Sequence, residues 1–441
     1  MSRNTFFISC PYDTYSGYGA RARDLVKAII ELDKYDVKLL PQRWGGTAWG
    51  FCDNNPEWSF LHNYKYPHPQ LTEKPDIWMQ ITIPNEFQSI GKYNIGVTAG
   101  IESNLCQGTW IEGVNRMDLT LVSSNHAKQV FEKSIFQKQD KNQQPLGEIK
   151  LEKPVEVLFE GADLTKYFEM SSQEISTLRK NSPLIQSLDS IPESFAYLFV
   201  GHWIQGDFGE DRKNVGLLIK AFLEVFKNKK TAPALILKTS SAVSSYMDRD
   251  EILKKIHAIR KTIKANSIPN IYLLHGEFSD NEINELYNHP KVKSMVSLTK
   301  GEGFGRPLLE FSLSKKPIIA SGWSGHIDFL TKDFSLLIGG NLKNVHPSAA
   351  NDWLMKESQW FEPNHNEVGM YLKDVFENYK KYTDRGKRQA YYSKTNFSWD
   401  KMKEKIDILF TQYIPDLPKK VELKLPQIKK IELPKKPVLN G

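Results

Sequence analysis

The chain has 441 residues, 40% of them apolar, which is enough for two domains with a core each and excludes a short disordered peptide. Its 59 Lys and Arg against 52 Asp and Glu give a net charge of +7, but residues 414–441 hold +4 of that, and a body near +3 excludes nucleic acid as the expected stable partner. Three cysteines, Cys10, Cys52 and Cys106, with no C-x-x-C spacing exclude a disulfide framework and a zinc knuckle and fit a reducing cytoplasm.

The apolar run in MSRNTFFISCPYD is too short for a signal-peptide core, and no apolar stretch reaches the roughly 18 residues of a membrane span. The expectation is a cytoplasmic chain that touches a membrane, if at all, at its surface. In chain order, a strand over 6–9 leads through a loop to Gly19, a helical pattern (Ala22, Leu25, Val26, Ile29, Ile30) and a second strand over 37–40, which is a β-α-β unit. Further strands are predicted over 77–81, 95–97, 119–122 and 155–158, with a helix over 127–136. Residues 171–193, poor in apolar side chains and containing Pro183 and Pro192, read as helix ends and a linker. From Ala196 strands over 197–200, 234–237, 271–274, 294–297 and 317–320 alternate with helices over 215–226, 249–264, 281–287 and 307–313. That alternation predicts a second parallel, doubly wound sheet. Ser279 with Glu282 is a capping box, and Pro307 suits a first helical turn. After Tyr413, KKVEL recurs as KKIEL among five prolines, which predicts an extended or disordered basic tail.

The stretch KGEGFGRPLLEFSLSKK (300–316) puts Glu302 at a strand end, a turn Gly303-Phe304-Gly305, and Glu310 in the helix that follows. Backbone N–H groups at such a turn suit phosphate or sugar oxygens, and two carboxylates can accept from two sets of hydroxyls. A bare strand-to-helix turn with solvated acids is the alternative. The spacing Glu302-x7-Glu310 late in a second Rossmann-like half closely resembles the retaining GT-B glycosyltransferases (group 1, family 4-like) that use nucleotide-diphosphate sugars. The resemblance implies an α/β GT-B fold: an acceptor domain over 1–185, a donor domain over 186–395, a crossover helix over 396–413 returning to the first domain, and the tail over 414–441. It implies that Glu302 contacts the donor sugar, that Gly303, Phe304 and Gly305 hold sugar and phosphate, and that Glu310 takes the ribose hydroxyls. VEVLFEGADL (155–164) is similar to a family strand followed by N-G-V-D, with Glu160 where Asn is usual. LLHGEFSD (273–280) is similar to the nucleobase loop, which brings in Gly276 and Phe278, and FSWDKMKEKIDILF (397–410) to the closing helix. VGHWIQGDFGEDRKN (200–214) matches the phosphate loop: Lys213 fits the diphosphate-gripping lysine, His202 stands at the usual arginine, and Arg212 or His202 would supply the missing charge.

Gly17-Tyr18-Gly19-Ala20-Arg21-Ala22 satisfies G-x-G-x-x-A after a strand, which alone suggests a dinucleotide, but the acidic residue expected after the second strand is absent. The resemblance places Gly17 and Gly19 in the cleft near the donor phosphate. It also places a catalytic His where GVTAGIESN (96–104) has none, with Glu102 the nearest ionisable replacement. Asp248-Arg249-Asp250 is a D-x-D at a helix start, better read as acids complementing the dipole than as a metal site. Five of ten tryptophans, Trp44, Trp49, Trp58, Trp78 and Trp110, fall in the part least like the family. Trp44 and Trp49 are the candidate acceptor platform, with core packing the alternative for most of the five. The helix with Lys128, Lys133, Lys138 and Lys141 beside Val130, Phe131 and Ile135 could lie on anionic lipid, with an ordinary amphipathic helix the favoured reading.

These readings together predict transfer of a sugar from a nucleotide sugar to an acceptor hydroxyl on a glycan, lipid, protein or modified DNA base. They assign catalysis to Glu302, Glu102 and Lys213, with neither metal nor cofactor, and the resemblance implies retention. A nucleotide-sugar epimerase of the same fold and a noncatalytic nucleotide-sugar-binding module are the rival readings.

Overall fold

A computed structural model describes residues 3–68, 70–139, 142, 144–241 and 244–417. Two six-stranded sheets, each parallel throughout, organise the chain. The first contains β1 (Asn4–Cys10), β2 (Tyr35–Pro41), β3 (Ile77–Ile81), β4 (Tyr93–Thr98), β5 (Leu119–Val122) and β6 (Val155–Val157) in the order β2-β1-β3-β4-β5-β6. The second contains β7 (Ala196–Val200), β8 (Ala234–Lys238), β9 (Ile271–Leu274), β10 (Val292–Ser297), β11 (Ile318–Ser321) and β12 (Leu336–Ile338) in the order β9-β8-β7-β10-β11-β12. The strand order reverses beside β1 in one sheet and beside β7 in the other. A parallel sheet opens a crevice at such a reversal, outside the strands' carboxyl ends.

β3 and β4 are buried along their whole length because crossover helices cover both faces of the sheet. Phe6, Ile8, Leu25, Val26, Ile29 and Leu39 form one face's core, and Met402, Ile406, Leu409 and Phe410 of the helix Trp399–Tyr413 complete it. The helix expected to cross back therefore lies against the first sheet. The segment before the second sheet forms two short helices, Ser172–Leu178 and Pro183–Asp189. Its apolar residues Leu184, Leu188 and Ile191, with Ala162 and Tyr167, pack against the second sheet. Of the expected tail, only residues 414–417 are described.

Local chemistry explains the main helix starts. Ser16 caps the helix Gly17–Glu31, accepting from Gly19 N, and the Ser279–Glu282 capping box is formed. The helix expected over 127–136 instead ends at Lys133, and Phe136–Gln139 pairs antiparallel with Pro145–Ile149. Lys128 pairs with Glu156 at 3.1 Å and Lys138 with Glu112 at 3.4 Å, while Lys141 lies outside the described residues. The continuous basic helix face expected there does not form. Among the described residues, no helix is long and apolar enough to cross a membrane.

Candidate active site

Four loops from strand carboxyl ends converge between the sheets: 11–17 after β1, 99–107 after β4, 201–214 after β7 and 298–305 after β10. The two sides meet backbone to backbone. A Cβ on Gly301 would lie 1.8 Å from the Glu102 carbonyl oxygen, and one on Gly303 would lie 2.5 Å from that of Ala99. Glycine at these positions thus lets the motif approach the other sheet. Ser123 Oγ donates to the Gly303 carbonyl at 3.1 Å, and Asn125 N donates to Asp328 at 2.8 Å, tying the two sides together.

Glu302 is 6% exposed and sits at the centre of this junction. Its backbone N–H donates to Ser324 Oγ at 2.9 Å, and its carboxylate takes Lys213 Nζ on one oxygen and Arg212 Nη1, at 3.4 Å, on the other. Burial pushes the Glu302 carboxyl up, but Lys213 and Arg212 outweigh it and hold it at about 2. Arg212 also faces Glu102 at 3.8 Å and donates to the Gly301 carbonyl at 3.0 Å. The three residues assigned to catalysis thus share one cluster, with Glu102 contributed from the opposite sheet. Lys300 of the same motif is fully buried and pairs instead with Glu362, over the Trp360 ring at 5.3 Å, so it is a packing residue.

Glu310 lies one turn into the helix Arg306–Ser312, which follows Gly305 at φ +96°. Arg306 donates to Glu310 at 2.8 Å and to Asp24, on the first sheet's helix, at 2.6 Å. Burial pushes the Glu310 carboxyl up to about 7, and Asp280 and Asp24 add to the shift. Arg306, divided between two carboxylates, only partly opposes it. Nearby, Asp280 accepts from Tyr167 at 2.8 Å and Lys166 at 2.7 Å. A cleft of about 670 Å³ opens here between the two sides, lined by Tyr15, Phe51, Glu57, Lys166, Phe278 and Asp280. Gly276, at φ +113° with open space around it, directly precedes the lining residues Glu277 and Phe278, and its carbonyl accepts from Lys238, whose Nζ lies 4.7 Å from the Phe278 ring.

The remaining candidates divide. Around Gly17 a Cβ would meet nothing, which leaves room for a ligand, whereas a Cβ on Gly19 would lie 2.4 Å from the Thr14 carbonyl oxygen, so Gly19 serves the turn itself. Phe304 is buried against Phe329 at 5.0 Å, so only its backbone can reach a ligand. His202 is exposed and meets Ser240 at 3.3 Å; Arg212, not His202, joins Lys213 on Glu302. Trp44 stacks on Tyr18 at 3.8 Å, and Tyr18 Oη meets Thr98 Oγ1 at 2.9 Å and accepts from Ala99 N at 3.0 Å. Trp49 is exposed beside Arg43, while Trp58, Trp78 and Trp110 are buried in the cores. Asp248 turns to His275 at 2.7 Å and to Ser241 N, away from Asp250, which pairs with Arg249. Among the described residues, no cluster of three His, Cys, Asp or Glu groups is placed to hold a metal.

Sequence reasoning missed Arg306 and Asp24. Arg306 was in view inside EGFGRPLLE, four residues before Glu310, a spacing that pairs opposite charges on a helix. Asp24, 282 residues away, carries no such signal.

No family model and no curated protein matches the chain by sequence. Solved structures do match by shape. HepE from Anabaena, crystallised with UDP and glucose, aligns over 93% of this chain and 100% of its own at a TM-score of 0.55 and 13% identity. Sucrose-phosphate synthase from Thermosynechococcus elongatus aligns over 93% and 99% at 0.58 and 12% identity. The α,α-trehalose 6-phosphate synthase from Burkholderia multivorans aligns over 93% and 99% at 0.55 and 10% identity. The chain has the GT-B fold. In GT-B terms, Glu302, Lys213 and Arg212 belong to the second Rossmann-like half, and Glu102 reaches them from the first.

Proposed function

We propose that this chain is a cytoplasmic glycosyltransferase that moves a sugar from a nucleotide-diphosphate sugar to an acceptor hydroxyl, with retention and without a metal ion or other cofactor. The observation that carries the reading is the convergence of Lys213 and Arg212 on Glu302 at a glycine turn, with Glu102 facing them from the other half. In this reaction the bond from the anomeric carbon to the leaving phosphate oxygen breaks and one to the acceptor oxygen forms. The acceptor proton passes to the leaving phosphate. Negative charge builds on that phosphate, and fixed cations stabilise it without reorganising. Lys213 and Arg212 take this role, exchanging part of their hold on Glu302 and Glu102 for the diphosphate. Glu302, kept ionised, accepts from the sugar hydroxyls, and Glu310 from the ribose once Arg306 yields it. Gly17 borders the phosphates, Gly276 and Phe278 the base, and Trp44, Trp49 and Glu102 the acceptor, whether glycan, lipid, protein or modified base.

HepE was crystallised with UDP-glucose as well as with UDP, which makes uridine diphosphate sugars the first donors to try. The test is incubation with a panel of nucleotide sugars, with and without candidate acceptors, in chelator. Release of nucleoside diphosphate that depends on acceptor, with the anomeric configuration kept in the product, is the expected result. Release without acceptor would favour epimerase chemistry, and tight nucleotide binding with no turnover would favour a binding module.

A further inference from the structure

We infer that the helix Tyr379–Asn396, on the outer side of the second half, is a docking surface for anionic phospholipid. Lys380, Lys387 and Lys394 recur every seven residues, and all three are exposed. At 100° per residue they fall, with Tyr391, within an arc of about 60°, on a stripe about 21 Å long. None of the three side-chain ammonium groups has a hydrogen-bond or ion-pair partner among the described residues. That distinguishes them from their neighbours: Arg388 pairs with Asp384 at 2.8 Å, Lys381 with Asp374 at 3.0 Å, and Arg385 donates to the Lys332 and Asp333 carbonyls. The stripe therefore carries three uncompensated positive charges.

Apolar surface accompanies the charge. Tyr391 is 74% exposed, an unusual position for a large aromatic with no partner side chain. Concavities of about 390 Å³ lie on either side of it. One is walled by Leu164, Phe168 and Leu313 between Lys387 and Lys394 on one side and the ion pair of Lys315 with Glu169 on the other; the second is walled by Phe334 and Tyr392. An aromatic ring between apolar hollows and beside the unpaired Lys387 and Lys394 matches the interface of a bilayer, where rings sit at headgroup level and lysines meet phosphates. The helix has too polar a sequence to insert, and its buried face, with Tyr382, Gly386, Gln389 and Ala390, is already committed to the fold. It would lie on the surface as a rigid edge.

Cosedimentation of the full chain with phosphatidylcholine vesicles, with and without phosphatidylglycerol, tests this. Wild type should bind only the anionic vesicles and lose binding in high salt. The triple variant Lys380→Ala, Lys387→Ala, Lys394→Ala should bind on the order of 100-fold more weakly, from about five-fold per lysine. Tyr391→Ser should weaken binding several-fold with the salt dependence kept. A control triple, Lys229→Ala, Lys230→Ala, Lys264→Ala, should bind as wild type does. Free glycerol phosphate should not compete at millimolar concentration, since the surface needs an array of headgroups. No binding by wild type, unchanged binding by the stripe variant, equal loss in the control, or full competition by glycerol phosphate would each overturn the proposal. So would tighter binding to a DNA duplex that depends on the same lysines.

Discussion

The two sides of the cleft are built differently. On the second half, Glu302 is buried, Lys213 and Arg212 are half-buried and paired with it, and all three sit on loops that the sheet and the neighbouring backbone fix from several directions. On the first half, the loop bearing the half-buried Trp44 and the exposed Trp49 is pinned through its backbone to Asp13, Thr14 and Tyr15, but the two indole rings themselves make one stacking contact and one cation–aromatic contact. A reaction centre that must present the same charges at every turnover gains from a site that cannot rearrange cheaply. A surface that has to fit a particular partner gains from aromatic faces on a loop that can be varied without disturbing the core. The contrast predicts that substitutions on the second half act on kcat and donor binding, and those on the first half on acceptor KM.

The largest effect is expected at the junction itself. Gly301→Ala would drive a methyl into the Glu102 carbonyl, so the halves cannot meet in this geometry; transfer should fall by at least 10²-fold while far-ultraviolet circular dichroism stays native. Normal turnover in that variant would mean that the contact is dispensable. Glu302→Ala comes next. It should cost on the order of 10²–10³ in kcat, as for loss of one charge-positioning group, and measured kcat within a few-fold of wild type would break the assignment of the second half to chemistry.

Glu310 gives a smaller effect with a definite sign. Its carboxyl is raised from 4.5 to about 7, so below pH 7 it is largely protonated and above it ionised, the better acceptor for ribose hydroxyls. Nucleotide affinity should rise through pH 7 in wild type and lose that rise in Glu310→Gln, as titration calorimetry from pH 6 to 8 would reveal. Stability should run the other way. The folded chain keeps a proton that the unfolded chain releases above 4.5, so this group's contribution is full below pH 4.5 and is lost as pH rises through about 7. A wild-type Tm that falls less than that of the Gln variant over this range would contradict the shift.

Trp44→Ala should be the mildest. Losing a stacked ring is worth about 0.5–1.5 kcal/mol, so acceptor KM should rise roughly 2–12-fold with donor KM unchanged. A change in donor KM instead would move Trp44 into the donor site and blur the division between halves.

The sequence made the periodic parts of this molecule legible. β3, β5 and β9 and the helix Val215–Phe226 begin and end where apolar runs and their breakers predict, because buried parallel strands and their covering helices leave a dense apolar signature. The second-half residues of the candidate site stand close together in the sequence, since Glu302, Gly303, Gly305 and Glu310 lie within nine consecutive positions. What escaped was long-range or irregular. Phe136 continued the apolar pattern of a helix but turned into a strand, because its partner Ile149 lies across a loop that periodicity does not register. The hairpin Gly340–Asn344 with Gln359–Pro363 is exposed on one strand and lacks an apolar alternation. Its Gln359 reaches Asn104 of the first half, a contact across 255 residues. Asp24 with Arg306 is of the same kind: each residue is ordinary in its own helix, and only the closed arrangement of the halves makes them a pair.

Calorimetric titration of nucleoside diphosphates, uridine diphosphate first, into wild type, Lys213→Ala and Glu302→Ala separates the roles of the two residues. If Lys213 grips the diphosphate and Glu302 the sugar, affinity should fall at least tenfold in Lys213→Ala and stay within about twofold of wild type in Glu302→Ala. Unchanged affinity in Lys213→Ala, or binding by none of the three proteins, would contradict a nucleotide-sugar site built on Lys213 and Glu302.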